Sequence, residues 1–225
     1  MGILNERQKL SSQISRPWLY LITNRRALSS SLIQLQIISE AAQAGCQLIQ
    51  IREKDLHAEG LYEFTSAAIA MARPFGAKIL VNDRVDVALA AGADGVHLRT
   101  DSLEADQVRA IVPAEFLIGV STHSMIDAHA AMTNGADFIV CGPVFETASK
   151  AQYGTPLGLQ NFKQICTEVD LPVLGLGGIS TENFSDVLSH GAAGIAGIGL
   201  FQNRDALASN IKMMLSSEIK PQDSV

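Results

Sequence analysis

The sequence predicts a single closed (β/α)8 barrel, and three observations carry the prediction. Short apolar strand patterns alternate with helical patterns eight times along the 225 residues, and parallel strands need crossover connections of the kind helices supply. No Gly-x-Gly-x-x-Gly turn follows the first strand, which argues against an open doubly wound sheet. Polar residues recur at the ends of most strands, and a barrel brings those ends to one face, where βα loops build sites.

Taken in order, residues 1–16 show no strong period and form an N-terminal extension, a tail or a short helix outside the barrel domain of residues 17–216. Residues 217–225 form a C-terminal tail. Strands are expected at Trp18–Thr23, Gln47–Arg52, Lys78–Val81, Asp94–Leu98, Phe116–Ser121, Asp137–Cys141, Pro172–Leu176 and Gly194–Ile198. Helical patterns cover Ser30–Ala44, Glu59–Ala72, Val85–Ala91, Leu103–Ile111, Met125–Asn134, Phe162–Val169, Thr181–Ser189 and Arg204–Leu215. Gly45, Gly92, Gly135 and Gly191 each end a helix just before the next strand and read as caps. The phrases Ala-Gly-Ala-Asp-Gly (91–95) and Asn-Gly-Ala-Asp-Phe (134–138) belong to that same rim and are not a domain repeat.

Composition bounds the function. Hydrophobic residues make up 47% and charged residues 18%, as expected for one well-buried domain, and a net charge of −6 offers no general field for nucleic acid. Any anion site is therefore local. Cys46, Cys141 and Cys166 are far apart and odd in number, which points to reduced thiols rather than a disulfide framework. With no signal-peptide pattern at the N-terminus and no apolar run long enough for a membrane span, the expectation is a cytoplasmic protein without nucleic-acid or membrane partners. Barrels of this kind often pair, so a homodimer is a candidate assembly.

Gathered on one rim, the strand ends supply Gln50, Arg52 and Lys54 from the second strand, whose alternation points them one way. The third adds Asn82 and Asp83, the fourth His97, and the fifth Ser121 and His123. Thr147, Ser149 and Lys150 follow the sixth, in a loop that suits an anion such as phosphate or is an ordinary polar turn. Gly177, Gly178 and Gly199 follow the seventh and eighth, where glycines let backbone N–H groups approach a phosphate or let strand and helix pack closely. Arg52, Lys54 and Lys150 form a positive pocket for a second anion. Asp83 suits either an Mg2+ ligand or a helix N-cap. His57, His129 and His190 read as surface or packing residues on helices, and His97 as a core histidine with its hydrogen bonds satisfied. His123, two residues beyond its strand, is placed to exchange a proton with a bound ring.

From about Leu19 to Phe201 the residues resemble the thiamine phosphate synthase/TenI superfamily of (β/α)8 barrels. The resemblance is carried by Gln50-Ile-Arg-Glu-Lys54, Val81-Asn-Asp-Arg84, Ala93-Asp-Gly-Val-His97, Gly142-Pro-Val-Phe-Glu-Thr-Ala-Ser-Lys150 and Gly175-Leu-Gly-Gly-Ile179. It implies an enzyme of thiamine biosynthesis acting on a small phosphorylated heterocycle. The synthase branch joins a pyrimidine pyrophosphate to a thiazole phosphate with Mg2+; the TenI-type branch includes a tautomerase that shifts a proton on carboxythiazole phosphate without a cofactor. Carried over, Gln50, Arg52, Lys54, Asn82, Thr147, Ser149 and Lys150 match pyrimidine and pyrophosphate positions, and Gly178 and Gly199 fall at the thiazole phosphate. Ser121 joins the substrate-binding set; His123 and Lys150 are the candidate catalytic residues, His123 matching the tautomerase acid–base histidine. The chain departs from the synthase's Gly-Gln-x-Asp run, reading Arg99-Thr-Asp-Ser102, so Ser102 falls where the second metal aspartate is expected. The leading expectation is therefore a TenI-type thiazole tautomerase. The alternatives are a thiamine phosphate synthase holding Mg2+ on Asp83 and Asp101, and a non-catalytic binder of thiamine phosphates.

Overall fold

The computed structural model describes residues 17–28, 30–147 and 155–217. Eight strands, β1 (Trp18–Ile22), β2 (Leu48–Ile51), β3 (Lys78–Asn82), β4 (Gly95–Leu98), β5 (Leu117–Thr122), β6 (Phe138–Cys141), β7 (Val173–Leu176) and β8 (Gly194–Gly197), pair in sequence order, all parallel, and β8 closes on β1. Among the described residues eight α-helices follow them: α1 (Ser31–Ala44), α2 (Ala58–Ala72), α3 (Val85–Ala91), α4 (Ala105–Arg109), α5 (Met125–Thr133), α6 (Gly158–Glu168), α7 (Phe184–Ser189) and α8 (Arg204–Ser216). The predicted closed barrel is the observed one.

Alternation along the strands sorts the core into two layers. Trp18, Tyr20, Leu48, Leu80, Phe138, Val140 and Leu174 fill the barrel interior. Their neighbours in sequence, such as Leu19, Leu21, Ile49 and Ile139, face the helices. Phe138 centres the inner layer, edge-on to Trp18 with centroids 6.2 Å apart and to Tyr20 at 5.6 Å.

The lower rim is built on a repeated side-chain device. Gln47, Asp94 and Asp137 stand at the entrances of β2, β4 and β6, and each accepts a backbone N–H of the preceding odd strand: Leu19 at 2.9 Å, Ile79 at 2.9 Å and Ile118 at 2.7 Å. The two Ala-Asp phrases are thus rim locks. Gly45, Gly92, Gly135 and Gly191 all have positive φ just past their helices, as caps require.

Three helices differ from their expected ranges. Helix α4 covers Ala105–Arg109 and starts two residues late, because Glu104 and Gln107 cap each other there. Helix α7 begins at Phe184 rather than Thr181, since Asn183 Oδ1 accepts from Ser180 N at 2.8 Å and makes a turn of the intervening residues. Helix α6 begins at Gly158, ahead of the expected Phe162. No helix of the described residues is long and apolar enough to cross a membrane.

Candidate active site

Above the upper ends of the strands lies a cavity of about 760 Å3, in the size range of small-molecule sites. Gln50, Arg52, Lys54, Asn82, His97, Asp101, Ser121, His123, Thr147, Gly178 and Gly199 all line it. Asp83, also predicted for this rim, is not among the residues that line it. Ser149 and the candidate catalytic Lys150 lie outside the described residues. In a closed ring of eight strands β3 stands across from β7 and β4 across from β8. The basic side chains after β2 and β4 therefore face the glycine loops after β7 and β8, over a floor of Ile22, Val140, Leu176 and Ala196.

A buried relay organises the middle of this space. Gln50 Nε2 donates to the Tyr20 hydroxyl at 3.1 Å, and that oxygen lies 3.3 Å from His97 Nδ1. Burial raises the phenol's pKa and keeps it protonated, so the hydroxyl donates to Nδ1. The proton of the imidazole then sits on Nε2, which donates to Ser121 Oγ at 2.9 Å. Burial, reinforced by the charge of Arg52, pushes the His97 pKa down to about 3 and keeps the ring neutral. His97 is thus the satisfied core histidine expected, and it also leaves the Ser121 hydroxyl hydrogen directed to another acceptor.

His123 is held from two sides. Its backbone N–H donates to Asp127 Oδ2 at 2.9 Å, and its Nδ1 donates to the Gly142 carbonyl. With Nδ1 committed to that carbonyl, Nε2 is the ring nitrogen left to exchange a proton with a cavity ligand. Glu53, between Arg52 and Lys54, points away from the cavity. It is buried and accepts the Arg25 backbone N–H with both oxygens at 3.1 Å, which ties the β1–α1 loop to β2.

Asp83 is not an N-cap: Arg84 occupies that position of α3, without a side-chain cap. With φ at 63° Asp83 holds a left-handed conformation uncommon for a non-glycine residue, which turns it towards the β4–α4 loop. Ser102 Oγ donates to Asp83 Oδ1, and the Arg99 guanidinium stands 3.7 Å from Oδ2 while gripping Asp101 at 2.5 Å. Both carboxylates expected as Mg2+ ligands are thus engaged by protein donors. An oxygen-ligated divalent ion needs those lone pairs presented together, and this donor set does not fit one. Among the described residues no three His, Cys, Asp or Glu side chains form a metal-binding group.

At the opposite end the two glycines differ. Gly178 has φ 66° and a Cβ there would lie 2.6 Å from the Glu146 carbonyl oxygen, so its glycine is required by the fold. Gly199 has ordinary φ, and a Cβ added to it would meet nothing within 4 Å, so open cavity is what it borders. Ser180, Thr181, Asn203 and Asn210 also line this end and were not foreseen. The signal for the last two was available: seven residues apart on α8 and its cap, they are two turns apart on one face.

The family model described as thiamine monophosphate synthase matches residues 19–201. A putative thiamine-phosphate synthase of Geobacter sulfurreducens is 45% identical over 178 residues, covering 79% of this chain and 83% of that protein. A thiamine-phosphate synthase of Roseiflexus sp. is 41% identical, covering 79% and 75%. Among solved structures, thiamine phosphate pyrophosphorylase from Pyrococcus furiosus superposes with a TM-score of 0.79 at 32% identity, covering 89% of this chain and 94% of that one. These names favour the synthase alternative over the tautomerase that led the sequence expectation. With the family model spanning the barrel from β1 past β8, the chain belongs to the thiamine monophosphate synthase (TMP-TENI) family.

Proposed function

We propose that this enzyme of thiamine biosynthesis is a thiamine-phosphate-synthase-type transferase, joining a pyrimidine pyrophosphate to a thiazole phosphate with loss of pyrophosphate. The observation that carries the reading is one continuous cavity lined by basic side chains and by glycine loops, two groupings each suited to an anion. Arg52, Lys54 and Arg99 make a basic end, and the loops at Gly178 and Gly199 line the same cavity with apolar Ile22, Val140, Leu176 and Ala196. A reaction between two phosphorylated heterocycles needs this: each anion has its own anchor, and the reacting atoms meet between them. Fixed cations at the departing pyrophosphate stabilise the charge it gains as its bond to the pyrimidine breaks. Gln50, Asn82 and the Ser121 hydroxyl are polar groups suited to orient the pyrimidine. The names of the relatives support the same reading.

A second reading, the thiazole tautomerase, is favoured by the anchoring of His123 Nδ1 on Gly142, which leaves Nε2 as a proton acceptor on the cavity side. One experiment separates the two. Purified protein is given pyrimidine pyrophosphate and thiazole phosphate, and thiamine phosphate and released pyrophosphate are measured; in parallel it is given the carboxythiazole phosphate tautomer. Product from the first mixture is the expected result. Conversion in the second mixture alone, lowered about 10^2- to 10^4-fold by His123→Ala, replaces the first reading with the second. Binding without either conversion leaves the non-catalytic binder.

A further inference from the structure

The cluster at the basic end contains a feature that neither reaction explains. Arg99 lies in the cavity wall with Arg52 and Lys54, yet its guanidinium also bridges the two carboxylates of the β3 and β4 loops, 3.7 Å from Asp83 and 2.5 Å from Asp101. These are the two carboxylates that a divalent ion held at this end would need as oxygen ligands. We propose that Arg99 is the specificity-determining residue of this end: its tethered guanidinium engages the two carboxylates a divalent cation would need, so a diphosphate-class anion is bound without a metal. The inference rests on the reading of the basic end as an anion site and deepens it.

Four observations support it. The Arg99 backbone is pinned, its N–H donating to Ser102 Oγ at 2.8 Å. The same hydroxyl passes its own hydrogen to Asp83 Oδ1, so the serine occupies a lone pair that a metal ion would need. An aspartate at 102 would instead repel Asp83 and attract a cation. Guanidinium offers five N–H donors in a rigid fork, and contacts to two carboxylates leave others for phosphoryl oxygens. Finally, three cations share this end with two carboxylates, and they feel one another: Lys54 is held below the usual lysine range, chiefly by Arg52, then by partial burial and by Arg99. A dication added here would meet that repulsion and compete with Arg99 for the same oxygens, whereas a polyanion relieves it.

The test uses the full chain and inorganic pyrophosphate, titrated calorimetrically with EDTA present or with Mg2+ present. The expected result is binding in EDTA that Mg2+ does not tighten. Arg99→Ser is expected to weaken binding in EDTA by about tenfold or more, the loss of a charge-assisted contact. Arg99→Gly combined with Ser102→Asp is expected to bind pyrophosphate only when Mg2+ is supplied, a switch in metal dependence that mere loosening of the loop does not produce. Thermal melts of each variant separate lost ligand from lost fold, and Arg99→Gln replaces Arg99→Ser if the latter melts early. Wild-type binding that requires Mg2+, or an Arg99→Ser protein that binds in EDTA as wild type does, overturns the inference while the transferase reading stands. No pyrophosphate binding under either condition removes the basic end as a diphosphate site, and the inference with it.

Discussion

His97 shows how a single buried residue turns chemistry into a pH dependence. In the unfolded chain its imidazole takes a proton below about 6.5, whereas in the barrel burial and Arg52 hold it neutral down to about 3. A histidine with a depressed folded pKa contributes its stability in full above 6.5 and loses it as pH falls towards 3. Between pH 7 and pH 5 the expected loss from this residue is about 2 kcal/mol, at roughly 1.4 kcal/mol per pH unit below 6.5. Urea unfolding at pH 7, 6 and 5 checks it. His97→Gln is expected to be less stable at pH 7 but to show a flatter profile over that range; parallel profiles would refute the assignment. That His97 is a core histidine was legible from its place in a buried strand. Its tautomer was not, because that depends on Tyr20 and Gln50, on two other strands.

At the scale of elements, the βα loops after β7 and β8 divide structural from ligand-facing glycines. Gly178 sits in the left-handed region with the β6–α6 loop against it, so Gly178→Ala is expected to cost about 1–3 kcal/mol of stability. Gly199 begins a 3-10 turn and faces open space, so Gly199→Val is expected to unfold near the wild-type midpoint while weakening inorganic phosphate or thiazole phosphate binding. Paired urea melts and ligand titrations of the two variants test the division; it fails if Gly199→Val is the less stable of the two. The short α4 and the late start of α7 belong to the same scale. Periodicity reports the apolar face of a segment, but the first helical residue is set by a cap such as Glu104 with Gln107, whose side chains carry no apolar period.

At the scale of the whole molecule, the barrel interior is one packed column. Phe138 is fully buried and contacts Trp18, Tyr20 and His97 with its ring, so it joins β6 to the non-adjacent strands β1 and β4 across the interior. Phe138→Ala is expected to cost about 3–5 kcal/mol in urea unfolding and to loosen the relay that orients Ser121. A loss under about 1 kcal/mol would mean that neighbouring rings collapse into the space instead.

The sequence alone determined the eight strand–helix units, the rim glycines and many of the strand-end side chains that line the mouth, because alternation and helical period are local properties of the chain. Only the tertiary structure decided which of those side chains meet. Pairing Asn82 beside His97 across β3 and β4 brings Asp83 to the Arg99–Ser102 loop, and that contact turns an expected metal carboxylate into the partner of a guanidinium. Strand register and loop path set such contacts between residues distant in sequence, and no periodicity within either segment records them.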